Sequence, residues 1–220
     1  MDTLKSILQN RYKIISLLSA SMVLSIILLM IRIKLTHSFF YLFLVWNLFL
    51  AIIPYAISVY LINKEKLSKI KLLIWFSIWL LFLPNAPYII TDLLHLRLSD
   101  KHFMWLDVLV VTSFAYNGLI IFFLSVLDME TVLKKYLKPK KLFYFIVFVV
   151  FLTGFGMYLG RFLRYNSWEI IQNPFNLFSD VFDIILNPNQ HIEAWIFTLT
   201  FGAFLSIGFW MFKAFLKMKY

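Results

Sequence analysis

Cysteine is absent from the 220 residues, glycine and proline occur six times each, and charged side chains make up only 15% of the chain. Without cysteine there is no disulfide framework, no thiolate nucleophile and no cysteine-ligated metal. The scarcity of charge excludes more. A soluble domain carries roughly 25% charged and 45–50% apolar residues, whereas hydrophobic side chains here reach 62% and aromatics 20%. Such a surface is solvated mainly by lipid. Also missing are a G-x-G-x-x-G turn after a strand, a His-Glu-x-x-His pair and any long Gly-, Ser- or Pro-rich linker. Residues 14–90 and 106–212 share no landmarks that would mark an inverted repeat.

What the chain does contain is long apolar runs. A helix needs about 20 mostly apolar residues to cross roughly 30 Å of hydrocarbon. Six stretches meet that length, at residues 14–31, 38–62, 72–90, 106–127, 142–160 and 192–212. The expected fold is an all-α polytopic bundle of six transmembrane helices forming a single integral membrane domain over 1–220. Lys5, Arg11 and Lys13 before the first run resemble a signal peptide, but the run has 18 residues and Arg32 and Lys34 follow it, so it is expected to be retained.

The net charge of +10 would suggest nucleic acid in a soluble protein. Here the basic residues divide by loop: 15 of the 21 Lys and Arg fall with the two termini and the loops that share their side, and six fall in the alternate loops. The positive-inside rule then places both termini in the cytoplasm of a multi-pass cell-membrane protein, with no nucleic-acid partner expected. On that division the inner side, with acids Asp2, Glu65, Asp128 and Glu130, carries +11. The outer side carries −1, from six bases and seven acids that include Asp92, Asp100, Asp107, Glu169, Asp180 and Asp183. All four histidines and four of the five arginines are outer. Arginine pairs bidentately with carboxylate or phosphate, so a polar site is expected to face the outer leaflet.

Two segments depart from a plain anchor. In the third span Pro84 and Pro87 each remove a backbone donor and bias Leu83 and Ala86 away from helical dihedrals, freeing the carbonyls of Leu80 and Leu83, part of which Asn85 can satisfy. If the helix resumes beyond Pro87, Tyr88, Thr91, Asp92, His95 and Ser99 form one polar stripe. Asp92 and His95 can act as an acid and base pair, whereas two ligands are too few for a metal, and no metal or other cofactor is expected. In the fifth span Gly156 and Gly160 have the small-x-x-x-small spacing of close helix packing. Arg161 and Arg164 follow where the span leaves the membrane. Their burial needs Asp92, Asp107 or Glu169 as a partner, or an anionic headgroup. Asp107, Asn117 and Asn166 are supporting polar residues, and Ser113, Tyr116 and Asn117 are expected to look into the bundle. In the last outer loop Asn173 reads as an N-cap, Pro174 as the first helical position and Pro188 as a stop, giving a short interfacial helix.

The segments Leu83-Pro84-Asn85-Ala86-Pro87-Tyr88-Ile89-Ile90-Thr91-Asp92-Leu93 and Gly160-Arg161-Phe162-Leu163-Arg164-Tyr165-Asn166-Ser167-Trp168-Glu169 resemble an uncharacterised bacterial multi-pass membrane family, the domain of unknown function 1361. The family's second motif ends in Asp; Glu169 keeps the carboxylate and lengthens its reach. The resemblance implies a bacterial cell membrane and six spans, and no activity. From the residues, non-catalytic binding of membrane lipid, an anionic headgroup or a membrane-protein partner is the leading expectation, with Arg161, Arg164, Asn85 and Tyr88 as contacts. An outer-leaflet enzyme using Asp92, His95 or Glu169 on a lipid-linked or phosphate-bearing substrate is the alternative, and a small-solute carrier a further one.

Overall fold

The computed structural model describes residues 2–64, 67–99 and 101–217. Glu65, Lys66, Asp100 and Lys219, which enter the charge division, lie outside the described residues. Among the described residues there are no strands. The helices are α1 (Asp2–Thr36), α2 (Phe43–Ile62), α3 (Lys69–Phe82), α4 (Asn85–Tyr88), α5 (Met104–Leu133), α6 (Pro139–Arg161), α7 (Glu169–Gln172), α8 (Pro174–Leu186) and α9 (Ile192–Lys217), with 3-10 turns at Phe40–Leu42 and Ile89–Leu98. Six stretches are long and apolar enough to cross a membrane: Arg11–Thr36, Phe40–Ile62, Lys69–Leu98, Met104–Leu133, Pro139–Arg161 and Ile192–Leu216. Each expected span coincides with one of these, its ends shifted by at most eight residues. By this criterion the chain is a multi-pass membrane protein.

The chain forms two compact units, residues 1–132 and 133–220. In the first, α5 is the organising helix. Val110, Val111, Phe114 and Phe122 are fully buried along it, and it meets α1 at three levels. The Arg11 guanidinium holds both oxygens of Asp128, one at 2.7 Å. The Asn117 amide donates to Ser25 Oγ at 3.0 Å, and Arg32 Nε donates to Asp107 Oδ1 at 2.9 Å. Against α3, Trp79 Nε1 donates to Ser125 Oγ at 2.8 Å in full burial. Tyr116 departs from expectation, being 59% exposed beside buried Asn117. At 100° per residue the two side chains diverge, and the buried arc of α5 is centred on the Asn117 side.

In the second unit α6 and α9 pack as an antiparallel pair. Their closest approach runs through Gly154 and Gly202, with half-buried Gly156 and Gly160 lying farther along α6. A Cβ at Gly154 would stand 3.0 Å from the Thr198 carbonyl, and one at Gly202 would stand 2.5 Å from the Phe151 ring. Small residues let the two backbones meet, but through Gly154 on α6 rather than through the expected Gly156 and Gly160.

Candidate functional site

The site in the first unit begins with the proline break. Leu83 keeps helical dihedrals (φ −56°, ψ −41°), and α4 includes Ala86, so the expected departure of both residues from the helical region does not occur. The chain tightens instead. The Leu83 carbonyl, deprived of its i+4 donor by Pro87, accepts from Ala86 N at 3.2 Å, and the Asn85 amide donates to the Phe82 carbonyl at 2.9 Å. The Ala86 carbonyl lies so close to α5 that a Cβ on Gly118 would be 2.3 Å from it. Gly118 is therefore the residue that admits the broken helix against its neighbour.

Beyond Tyr88 the chain continues as a 3-10 helix for ten residues, well past the usual three or four. In a 3-10 helix side chains at i and i+3 eclipse. Asp92 and His95 thus stand one above the other, with His95 Nε2 3.8 Å from Asp92 Oδ1. Asp92 is 1% exposed, and its second oxygen accepts from Asn47 Nδ2 of α2 at 2.9 Å. The His95 side chain is 32% exposed. Its ring meets Phe40 and Phe43 edge to face, with centroids 5.8 and 5.1 Å away. Tyr41, buried beneath, shares a 2.9 Å hydrogen bond with Ser99 Oγ and donates to the His95 carbonyl at 3.4 Å.

Arg32 joins this cluster. Its guanidinium pairs with Asp107, donates to the Ser38 carbonyl at 2.8 Å and lies over the Tyr41 ring at 4.8 Å. A buried ion pair is tolerable only when its remaining donors and acceptors are also met, and these three contacts engage Nε, one terminal nitrogen and the face of the guanidinium. The Arg32 and Asp107 side chains are thus turned to each other and away from solvent. The carboxylate of Asp92 and the imidazole of His95 remain as the groups able to move a proton or hold a polar ligand. Among the described residues no three His, Cys, Asp or Glu side chains gather as a metal-holding group.

The other candidate residues lie in the second unit. Arg161 ends α6 half-buried; Arg164 is exposed in a left-handed conformation (φ 62°) that turns the chain, and Tyr165 N closes that turn on the Leu159 carbonyl at 3.1 Å. Asn166 is exposed, its carbonyl accepting from the backbone N of Glu169 at the start of α7. Tyr165 donates to Asp180 Oδ2 of α8 at 2.7 Å, and this hydrogen bond to an acid pushes the phenol up to about 12. Asp183 accepts from Asn187 Nδ2 and pairs with His191 Nε2, both at 2.7 Å, which together hold its carboxyl below the ordinary range.

A family model described as a protein of unknown function (DUF1361) matches residues 46–207. The chain belongs to this family. Neither the curated proteins nor the solved structures contain a match. The DUF1361 match covers Asn47, Asn85, Tyr88, Asp92, His95, Asp107, Asn117, Arg161, Arg164, Asn166 and Glu169. Arg11, Arg32 and Tyr41 precede it. Within this DUF1361 chain, Asp92, His95 and Asp107 fall in one cluster together with Arg32, Tyr41, Asn47 and Ser99. Asn117 lies ten residues farther along α5, bonded to α1 and to the Ser113 carbonyl at 2.9 Å. Tyr41 carried no sequence signal, one aromatic among many. Arg32 carried a weak one, an arginine flanked by Ile31 and Ile33 where lysine would serve topology equally well.

Proposed function

We propose that this protein is a multi-pass component of the bacterial cell membrane, with both termini cytoplasmic, that binds a lipid headgroup at its outer face without chemical turnover. The observation that carries the reading is the burial of Arg32 and Asp107 against each other at 2.9 Å. With that pair closed, partly exposed His95, backed by buried Asp92 and flanked by Phe40 and Phe43, is a polar contact set in an apolar rim. A headgroup over an aromatic surface suits such a place. The lysine distribution supports the orientation. Arg161 and Arg164, at the end of α6, are the proposed contacts for lipid phosphate in the second unit, and α8 is proposed to lie along the outer interface. Purification of the wild type and of His95→Gln in mild detergent, followed by lipid extraction, tests the reading. The wild type retains a phospholipid that the variant loses at equal folded yield; equal retention contradicts it.

A second reading has one specific observation in its favour. Asp92 is buried, fixed by Asn47 and stacked beneath His95, which is how an acid orients a general base. In that case an outer-leaflet lipid or phosphate ester is the substrate, and Asp92→Asn abolishes turnover of it while leaving binding intact.

A further inference from the structure

The short helix α8 has two chemically different sides, and the placement of each is informative. Phe175, Phe178, Phe182 and Leu186 recur at spacings of three and four, forming one stripe, and are 87%, 47%, 59% and 74% exposed. Ile184, on the opposite side, is buried with Tyr158 and Ala194, and its carbonyl accepts from Trp195 Nε1 at 3.3 Å. Tyr158 lies in the last turn of α6 and Ala194 in the first turn of α9. The helix is thus fastened where two membrane-length helices end. Around those helix ends Phe162, Ile192 and Ile196 are exposed as well. The two acids of α8 are both tied back to the chain, Asp180 to Tyr165 and Asp183 to His191 and Asn187.

We infer that α8 is a fixed wedge whose aromatic stripe inserts among the acyl chains of the leaflet it borders. The inference rests on the proposed interfacial placement of α8 and names its occupant as lipid rather than protein. An amphipathic helix ordinarily reaches an anionic leaflet with Lys and Arg on its polar face. This one carries acids there, tied by hydrogen bonds to Tyr165 and His191. Attachment to two membrane-length helices replaces electrostatic attraction in holding the stripe at the right depth, so insertion is expected to be independent of lipid charge.

Because the chain has no cysteine, single cysteines give clean reporters. Phe178→Cys, Phe182→Cys and, as an aqueous control, Asn189→Cys are labelled with an environment-sensitive fluorophore. The full chain is then reconstituted in phosphatidylethanolamine vesicles with and without phosphatidylglycerol. The stripe labels are expected to emit to the blue and to lose emission to nitroxide-bearing lipids in both compositions, while the Asn189 label loses emission only to iodide. Stripe labels quenched by iodide, or shielded from both quenchers as beneath a protein partner, overturn the inference. So does insertion that requires phosphatidylglycerol. Lipid quenching of both stripe labels, combined with an Asn189 label that impermeant reagents reach only from the cytoplasmic side in cells, upholds insertion and refutes the outward orientation alone.

Discussion

Arg32 and Asp107, 75 residues apart in the chain, meet at 2.9 Å in nearly complete burial and join α1 to α5. Arg11 and Asp128 make the corresponding pair farther down the same two helices. The arginines are 21 residues apart on α1 and the aspartates 21 residues apart on α5. At 1.5 Å per residue that separation is about 32 Å, against a hydrocarbon thickness of roughly 30 Å. The two helices are therefore clamped at both ends over one bilayer thickness. Only arginine offers the fork that grips both carboxylate oxygens of Asp128.

Breaking the buried pair leaves a charge without its partner. Asp107→Asn is expected to lower stability by about 3–5 kcal/mol, and Asp128→Asn by less, because the Arg11 side chain is 20% exposed. Thermal unfolding in detergent reads both. The Asp107 variant has the lower midpoint, and the double variant Arg32→Gln with Asp107→Asn recovers part of the loss. A full additive loss contradicts the coupling.

Gly118 and Gly202 both face close neighbours but differ in what must give way. Against Gly118 stands the Ala86 carbonyl, part of the backbone; against Gly202 stands the Phe151 ring, a side chain that can give way by a change in χ1. Gly118→Ala is expected to cost about 1–3 kcal/mol, with Gly202→Ala costing less. Unfolding midpoints in that order support the packing of the proline break on α5, and the reverse order refutes it.

How much of this was legible in the sequence depends on the range of the forces involved. The six apolar runs are local and were readable to within a turn or two. The continuation after Pro87 was readable as helical but not as 3-10: a proline announces a lost donor, whereas recapture of the Leu83 carbonyl by Ala86 depends on the fit against Gly118. Asp92 and His95 were legible as a pair because their spacing is local. The partner of Asp107 was not, since a contact across 75 residues leaves no trace in spacing. Arginine among apolar neighbours was the one hint, and it applied to Arg32.

Asn47 links α2 to Asp92 through a single hydrogen bond to a carboxylate. Removing it with Asn47→Ala costs about 1.5–3 kcal/mol and leaves His95 in place. If His95 is the contact for a headgroup, Asn47→Ala retains bound phospholipid when assayed below its lowered midpoint, whereas His95→Gln does not. Loss of lipid in both variants at full folding assigns the site to Asp92 instead.

The ties of α8 titrate in opposite directions. The Asp183 carboxyl lies below the ordinary 3.8, chiefly through Asn187 and next through His191. A depressed folded pKa contributes stability above the unfolded carboxylate value and loses it as pH falls through the folded one. The Asp183 tie therefore holds at neutral pH and is lost as pH falls below the ordinary carboxylate value. Tyr165, raised to about 12 by Asp180, remains a donor throughout the neutral range. Carboxyl NMR of Asn187→Ala should show Asp183 moving upward, and a phenol titration of Asp180→Asn should show Tyr165 moving down from about 12; unchanged midpoints refute these pairings.

The proposed orientation puts the Asp92–His95 cluster, and separately α8, on the outside of the cell. Single cysteines at Lys101, Asn189 and Lys140, treated in intact cells with a membrane-impermeant maleimide, test it most directly. Lys101→Cys and Asn189→Cys are predicted to label without permeabilisation and Lys140→Cys only after it. Labelling of Lys140→Cys in intact cells, with the other two protected until the membrane is opened, refutes that orientation.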